Sequence, residues 1–114
     1  MSRDYDVYLE DILEAVDRIQ EYVQDIPRDA FEADRMRFDA VIRNLEIIGE
    51  AVRGVPDSVR QHYSEVEWRK IAGLRDILIH RYFSINVDIV WDVVESKLPT
   101  LKAQIQQIIK ERNK

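Results

Sequence analysis

Within a chain of 114 residues, the segment RDILIHRY sets Arg75, Asp76, His80 and Tyr82 at fixed offsets, and these are the residues whose types do chemistry. Arginine carries a permanent planar cation whose forked N–H groups match phosphate, and histidine moves protons near neutral pH. Together they point to phosphodiester chemistry. At 100° per residue, Arg75 and His80 stand about 140° apart around an ideal helix, so no single helix face holds both. Asp76 lies four residues before His80, where its carboxylate can reach the imidazole and fix its tautomer. A structural ion pair with an arginine is the equal alternative for that aspartate. Tyr82 returns to the arginine side if the helix persists that far. The spacing therefore favours a site at a helix end, completed by a second copy of the chain across a two-fold axis.

Charge points the same way. Between residues 69 and 82, Arg69, Lys70, Arg75 and Arg81 stand against Asp76, a local charge of +3 that would draw an anionic ligand such as RNA. The net charge of -5 opposes bulk attraction to nucleic acid, but it conceals a segregation. Residues 1–34 hold eleven Asp or Glu and three Arg, whereas residues 35–114 hold eleven Asp or Glu and fourteen Lys or Arg, which gives -8 and +3. On its own the cluster also has a plain reading, as a helix-end histidine, a solvated ion pair and core aromatics.

Composition narrows the alternatives. There is no cysteine, and the two histidines have no clustered ligand spacing, so neither a disulfide framework nor a zinc site is expected, and no cofactor. The acidic start MSRDYDVYLED and the lack of an apolar run of roughly 20 residues predict neither a signal peptide nor a membrane span. A cytoplasmic protein is the expectation.

The elements that must position the cluster are helical. Tyr5, Leu9, Ile12, Val16, Ile19, Val23 and Ile26 recur at spacings of four and three, predicting a first helix ended by Pro27. Phe38, Val41, Leu45, Ile48, Val52 and Val55 repeat the pattern in a second helix, starting near Asp29 or Ala30 and closing around Gly54 and Pro56. These two should pack antiparallel. A short helix follows Pro56, and Ser64 with Glu67 forms a capping-box pattern for the helix that carries Trp68, Ile71, Leu74, Leu78 and the cluster. That helix should turn near Tyr82 and Ser84, with Asn86 capping a last helix that Pro99 kinks or interrupts. Strand alternation is absent. The prediction is an all-α antiparallel bundle of four main helices plus a short helix, one domain spanning residues 1–114.

Several anchors in order carry a family resemblance. FEADRMRFDAVIRNLEIIGEAV (residues 31–52), followed by EWRKIAGLRDILIHRYFSINVDIVWDVVESKLPTL (residues 67–101), closely resembles HepT-like proteins of the HEPN superfamily across nearly the whole chain. The specific parts are LEIIGEA at 45–51, Trp68 with Arg69, the Arg75, His80 and Tyr82 constellation, and Trp91 followed by Leu98 and Pro99. The resemblance implies the toxin of a type VII-like toxin–antitoxin system: a dimeric helical protein that cleaves RNA without a metal. It also implies a minimal nucleotidyltransferase as antitoxin, which adds adenylyl groups to the motif tyrosine.

Carried over by position, Arg75 and His80 are catalytic, Tyr82 is modified, and Asp76 stands where the family has a polar residue, often Asn. Arg81 departs from the family, where a small residue such as Gly is usual, and Glu67 stands where Pro is common. Arg69, Lys70 and Arg81 are the RNA-binding candidates, although Arg81 could instead crowd Tyr82. Glu50 is polar within an apolar stripe, and either pairs with an arginine across the bundle or approaches the cluster. His62 receives no role. The competing functions are a HEPN-type module that binds nucleotide or RNA without cutting, and a purely protein-binding bundle.

Overall fold

A computed structural model describes residues 5–113, so the expected domain span of 1–114 extends beyond the described residues at both ends. The first apolar stripe folds as α1 (Asp6–Tyr22), burying Leu9, Ile12, Val16 and Ile19. It stops before Pro27: Val23 leaves helical geometry, Asp25 takes a φ of 62°, and Pro27 instead opens a short helix, α2 (Arg28–Ala33). The continuous second helix expected from Asp29 or Ala30 is thus two helices. Asp34, in extended backbone, separates α2 from α3 (Arg35–Gly54), and its side chain accepts a hydrogen bond from the Arg37 amide at 3.1 Å. Such a cap satisfies an otherwise unpaired helix-start amide and stabilises by about 1 kcal/mol.

α1 and α3 run antiparallel, with Tyr8 against Gly54 at one end and Arg18 beside Asn44 further along. Asn44 is the buried polar side chain of the core, and it is satisfied: Arg18 Nε donates to its Oδ1 at 2.7 Å, and its Nδ2 donates to the Ala40 carbonyl at 2.8 Å. The Ala40 bond lies within α3, so it is the bond from Arg18 that ties register: sliding α1 along α3 would leave the buried Oδ1 unpaired. Phe31 of α2 is fully buried against Phe38 and Trp91, with ring centroids at 5.4 and 5.2 Å.

After the short α4 (Asp57–His62), α5 (Trp68–His80) returns along α3. The expected capping box does not form. Glu67 precedes the helix without a side-chain cap, and its carboxylate pairs with Lys70 at 3.0 Å, while the Trp68 indole N–H donates to the Tyr63 carbonyl at 3.0 Å. A single 3-10 turn at Tyr82–Ser84 leads to Asn86, whose side chain accepts from the Asp88 and Ile89 amides at 2.8 and 3.2 Å and starts α6 (Val87–Asp92).

α6 runs through a π-helical segment (Val93–Lys97) into α7 (Leu98–Arg112). Pro99 lacks an amide hydrogen and its ring crowds the carbonyl four residues back; the wide turn just ahead of it absorbs that disruption without ending the rod. α7 lies antiparallel to α1, joined by Lys102 to Asp17 at 2.9 Å and Arg112 to Asp6 at 2.6 Å. The described residues contain no strand. The architecture is the expected all-α, HEPN-like bundle of four main rods, with α2 as a second short helix beside α4. No helix among the described residues is long and apolar enough to cross a membrane.

The third rod is set by a glycine. A Cβ built on Gly49 would lie 2.5 Å from the Arg75 Cβ and 3.2 Å from the Ile71 carbonyl oxygen. Neither atom is the free end of a flexible side chain, so an alanine there must push α5 away from α3. Gly49→Ala is expected to destabilise the fold by about 1–3 kcal/mol. The check is a urea titration, in which the midpoint should fall at unchanged slope. An unchanged midpoint would show that the helices do not approach this closely.

Candidate functional site

Arg75 lies on the α3-facing side of α5, its side chain 27% exposed, in a groove of about 480 Å³ lined in part by Tyr8, Asp11, Glu50 and Ile79. Its Nε approaches Glu50 Oε1 at 3.1 Å and its Nη1 approaches Asp76 Oδ1 at 3.3 Å. Asp76 is held in turn by Arg53, whose Nη2 is 2.7 Å from both carboxylate oxygens. Glu50, Arg75, Asp76 and Arg53 thus form a line of alternating charge whose formal sum is zero. Because these side chains are partly open to water, each pair contributes about 0–1 kcal/mol at most, and the line matters for position more than for stability.

His80 closes α5 and is exposed, with no hydrogen-bond or ion-pair partner among the described residues. The Asp76 carboxylate does not reach it, being turned to Arg53 and Arg75. The i,i+4 offset permitted contact with His80, but two guanidinium groups on the other side compete for the same oxygens and have them. Of the two readings open for Asp76, the ion pair is the one present. Glu50 likewise pairs with an arginine across the bundle.

Tyr82 does not return to the arginine side, because the helix ends at His80 and Arg81 breaks the backbone out of it. The ring docks on the start of α3. Its hydroxyl donates to Asp39 Oδ1 and accepts from Arg35 Nη2 at 2.6 Å, with the Arg35 guanidinium 5.1 Å from the ring centroid. The Asp39 hydrogen bond, which favours the protonated phenol, raises the Tyr82 pKa above the ordinary phenol value. Asp39 and Glu50 are about 16 Å apart along α3 at 1.5 Å per residue, so the anchors of Tyr82 and Arg75 occupy opposite ends of that helix.

The other basic candidates do not converge. Arg69 and Lys70 lie in the first turn of α5, about 15 Å along the axis from His80, and Lys70 is paired with Glu67. Arg81 is exposed at the far end. Arg35, Asp39 and Arg53 were missed by reasoning from sequence. The i,i+4 offset of Arg35 and Asp39 was visible, but nothing local ties that pair to Tyr82. Among the described residues, no group of three or more His, Asp or Glu side chains is placed to hold a metal ion. A separate cavity of about 340 Å³, where Leu45, Ile48, Ile71 and Leu74 meet polar groups such as Glu65, Lys97 and Gln104, involves none of the cluster.

Comparison with known proteins gives a consistent answer. Residues 12–108 match the family model described as Ribonuclease HepT-like. Over 110 residues the chain is 40% identical to the "Probable ribonuclease HepT" of Thermococcus cleftensis, covering 96% of this chain and all of that protein. It is 40% identical over its full length to a Methanocaldococcus jannaschii protein named "Gamma-glutamylcyclotransferase and putative RNase", of which it spans only 51%. A second protein of that organism, named as an RNase alone, is 43% identical over 110 residues, which is 96% of this chain and 91% of that one. No solved structure matched. A match over residues 12–108, with relatives near 40% identity along almost the entire chain, places this protein in the HepT-like ribonuclease family.

Proposed function

We propose that the chain, as one HEPN-like domain, is a metal-independent endoribonuclease. In this reading it is the toxin of a type VII-like toxin–antitoxin pair, acts as a cytoplasmic two-fold homodimer, and is silenced when a minimal nucleotidyltransferase adenylylates Tyr82. Membership of a ribonuclease family and relatives named as ribonucleases support the RNA substrate. The observation that carries the catalytic part is α5, which presents a groove-lying Arg75 and an exposed His80, without a partner among the described residues, on one continuous helix.

The chemistry is attack by a ribose 2′-hydroxyl on the adjacent phosphorus, forming a 2′,3′-cyclic phosphate and expelling the 5′-oxygen. His80 takes the hydroxyl proton and then returns a proton to the leaving oxygen, a role worth about 10² to 10⁴ in rate. Arg75 binds the phosphate oxygens through its fork and stabilises charge as it develops. To do so it must exchange Glu50 for the phosphate. Asp76, held by Arg53, keeps Arg75 in place during that exchange and is a positioning residue. Arg69, Lys70 and Arg81 guide the flanking backbone. They contact phosphate and carry no base readout.

A second copy is supported by what α5 leaves uncovered. It buries only Trp68 and Leu78, its Ile77 is 53% exposed, and nothing lies within 4 Å of a Cβ placed on Gly73; beyond its end, Phe83 in the following turn and Ile89 on α6 are 98% and 60% exposed. Packing this face on its own copy would remove apolar surface from water at about 25 cal/mol per Å² and bring two His80 side chains into one groove. The double variant Ile77→Asp with Phe83→Asp should sediment as a monomer at concentrations where the parent is dimeric. A parent that is itself monomeric at all concentrations would refute the dimer.

Arg75 is already flanked by two carboxylates, which favours one alternative, a module that binds RNA and does not cut it. Cleavage by purified protein decides between them. Parent protein should cut RNA and leave 2′,3′-cyclic phosphate ends; His80→Ala should lose at least about 10² in rate. Arg75→Lys should also lose most activity, since an ammonium lacks the fork. Undiminished cleavage by both variants, or 3′-hydroxyl products, would rule out the mechanism.

For silencing, an adenylyl group on Tyr82 adds negative charge and bulk next to the turn that follows His80. Because Tyr82 docks at the other end of α3 from Glu50, the block acts on RNA approaching the helix end rather than on Arg75 directly. Incubation with the cognate nucleotidyltransferase and ATP should add adenylyl mass that Tyr82→Phe prevents. Additions unchanged in Tyr82→Phe would assign the modification elsewhere.

A further inference from the structure

Five tyrosines occur in the chain, and their hydroxyl surroundings differ. Tyr63 donates to Glu111 at 2.9 Å, and no hydrogen bond from a guanidinium to its oxygen is present among the described residues. Tyr5 accepts from Arg112, its oxygen bonds to no carboxylate among the described residues, and the residue is buried. Tyr8 and Tyr22 make no hydrogen bond through their hydroxyls among the described residues. Among the described residues, Tyr82 is the tyrosine whose oxygen meets both groups: it donates to Asp39 and accepts from Arg35 at 2.6 Å.

We propose that Arg35, Asp39 and Tyr82 form a preassembled acceptor site for nucleotidyl transfer, in which Asp39 takes the phenol proton and Arg35 neutralises the incoming phosphate. It rests on the reading of Tyr82 as the modified residue and adds that the proton acceptor comes from this chain rather than from the transferase. In the step, the Tyr82 oxygen forms a bond to the α-phosphorus of a nucleoside triphosphate as its O–H proton passes to Asp39 Oδ1. The bond from the α-phosphorus to the oxygen bridging to the β-phosphorus breaks, and pyrophosphate leaves with that electron pair.

The geometry meets each requirement. A phenol oxygen has one proton and two acceptor positions. The proton is donated to Asp39 and Arg35 occupies one acceptor position, which leaves the other for the electrophile. Arg35 and Asp39 are 61% and 50% exposed, so a triphosphate presented by a second protein can reach the oxygen. The arrangement matches the way the catalytic aspartate of protein kinases accepts the proton of an attacking hydroxyl. Because Asp39 also raises the Tyr82 pKa, the phenol stays neutral near pH 7, and its proton must leave during the transfer itself.

The test follows initial rates of adenylyl addition by intact mass, using the full chain, its cognate nucleotidyltransferase and ATP from pH 7 to 9. Parent, Asp39→Asn and Asp39→Glu are compared, with thermal midpoints confirming that each is folded. At pH 7, Asp39→Asn should be slower by about 10². The parent-to-variant ratio should then shrink about tenfold per pH unit as the phenol ionises unaided. Asp39→Glu should recover most of the rate. Equal rates at every pH would overturn the proposal, and a constant deficit across pH would reduce Asp39 to a docking contact for the transferase. A parent that gains no adenylyl mass, or a Tyr82→Phe variant that gains as much, would instead overturn the assignment of Tyr82.

Discussion

α3 and α5 approach so closely at Gly49 that no β-carbon fits between them, and much of the site follows from that contact. The missing side chain brings the Arg75 backbone against α3. From there the guanidinium reaches Glu50, and the neighbouring carboxylate of Asp76 reaches Arg53. The ion pairs are too exposed to hold the helices together by themselves. Packing sets the distance, and the charges then choose the rotamers. Arg75 placed this way is aimed by its neighbours without being fully buried by them.

α3 acts as the template for the whole motif. Glu50 and Arg53 near its end hold the start of RDILIHRY, while Arg35 and Asp39 at its beginning hold the tyrosine at the other end. His80, between these anchors, has no hydrogen-bond or ion-pair partner among the described residues. Two held ends and an exposed middle are what the proton-transfer role proposed for His80 would need. The register of α3 is itself pinned to α1 by Asn44 and Arg18, so the buried amide and the exposed cluster belong to one mechanical unit.

The helices were legible in the sequence wherever an apolar stripe met a core. α1, α3 and the last rod follow their patterns, and Asn86 caps as its type and position suggest. What escaped were breaks set by single polar residues. Asp34 splits a helix whose apolar period runs on undisturbed, and Ser64 offers a cap that the chain bypasses to let Trp68 bond to Tyr63. At the site, the residue types and their helical offsets were readable, including that Arg75 and His80 share no face. Their partners were not. Asp76 had two stereochemically open choices, and only the position of Arg53 on another helix decides between them. Tyr82 is governed by residues more than forty positions earlier, and no local pattern encodes such a pairing.

The carboxylates around Arg75 also bear on how the protein would respond to salt. An RNA phosphate that takes Arg75 expels condensed cations from the nucleic acid, but it simultaneously frees Glu50, which gathers cations of its own. Lys70, already paired with Glu67, behaves the same way. Net counterion release per contact is therefore smaller than for a bare cation, and the dependence of affinity on salt is shallower than the number of basic residues implies. With Arg75 and Lys70 already paired internally, such a protein would give up some strength of binding in return for a grip on RNA less dependent on the ionic conditions around it.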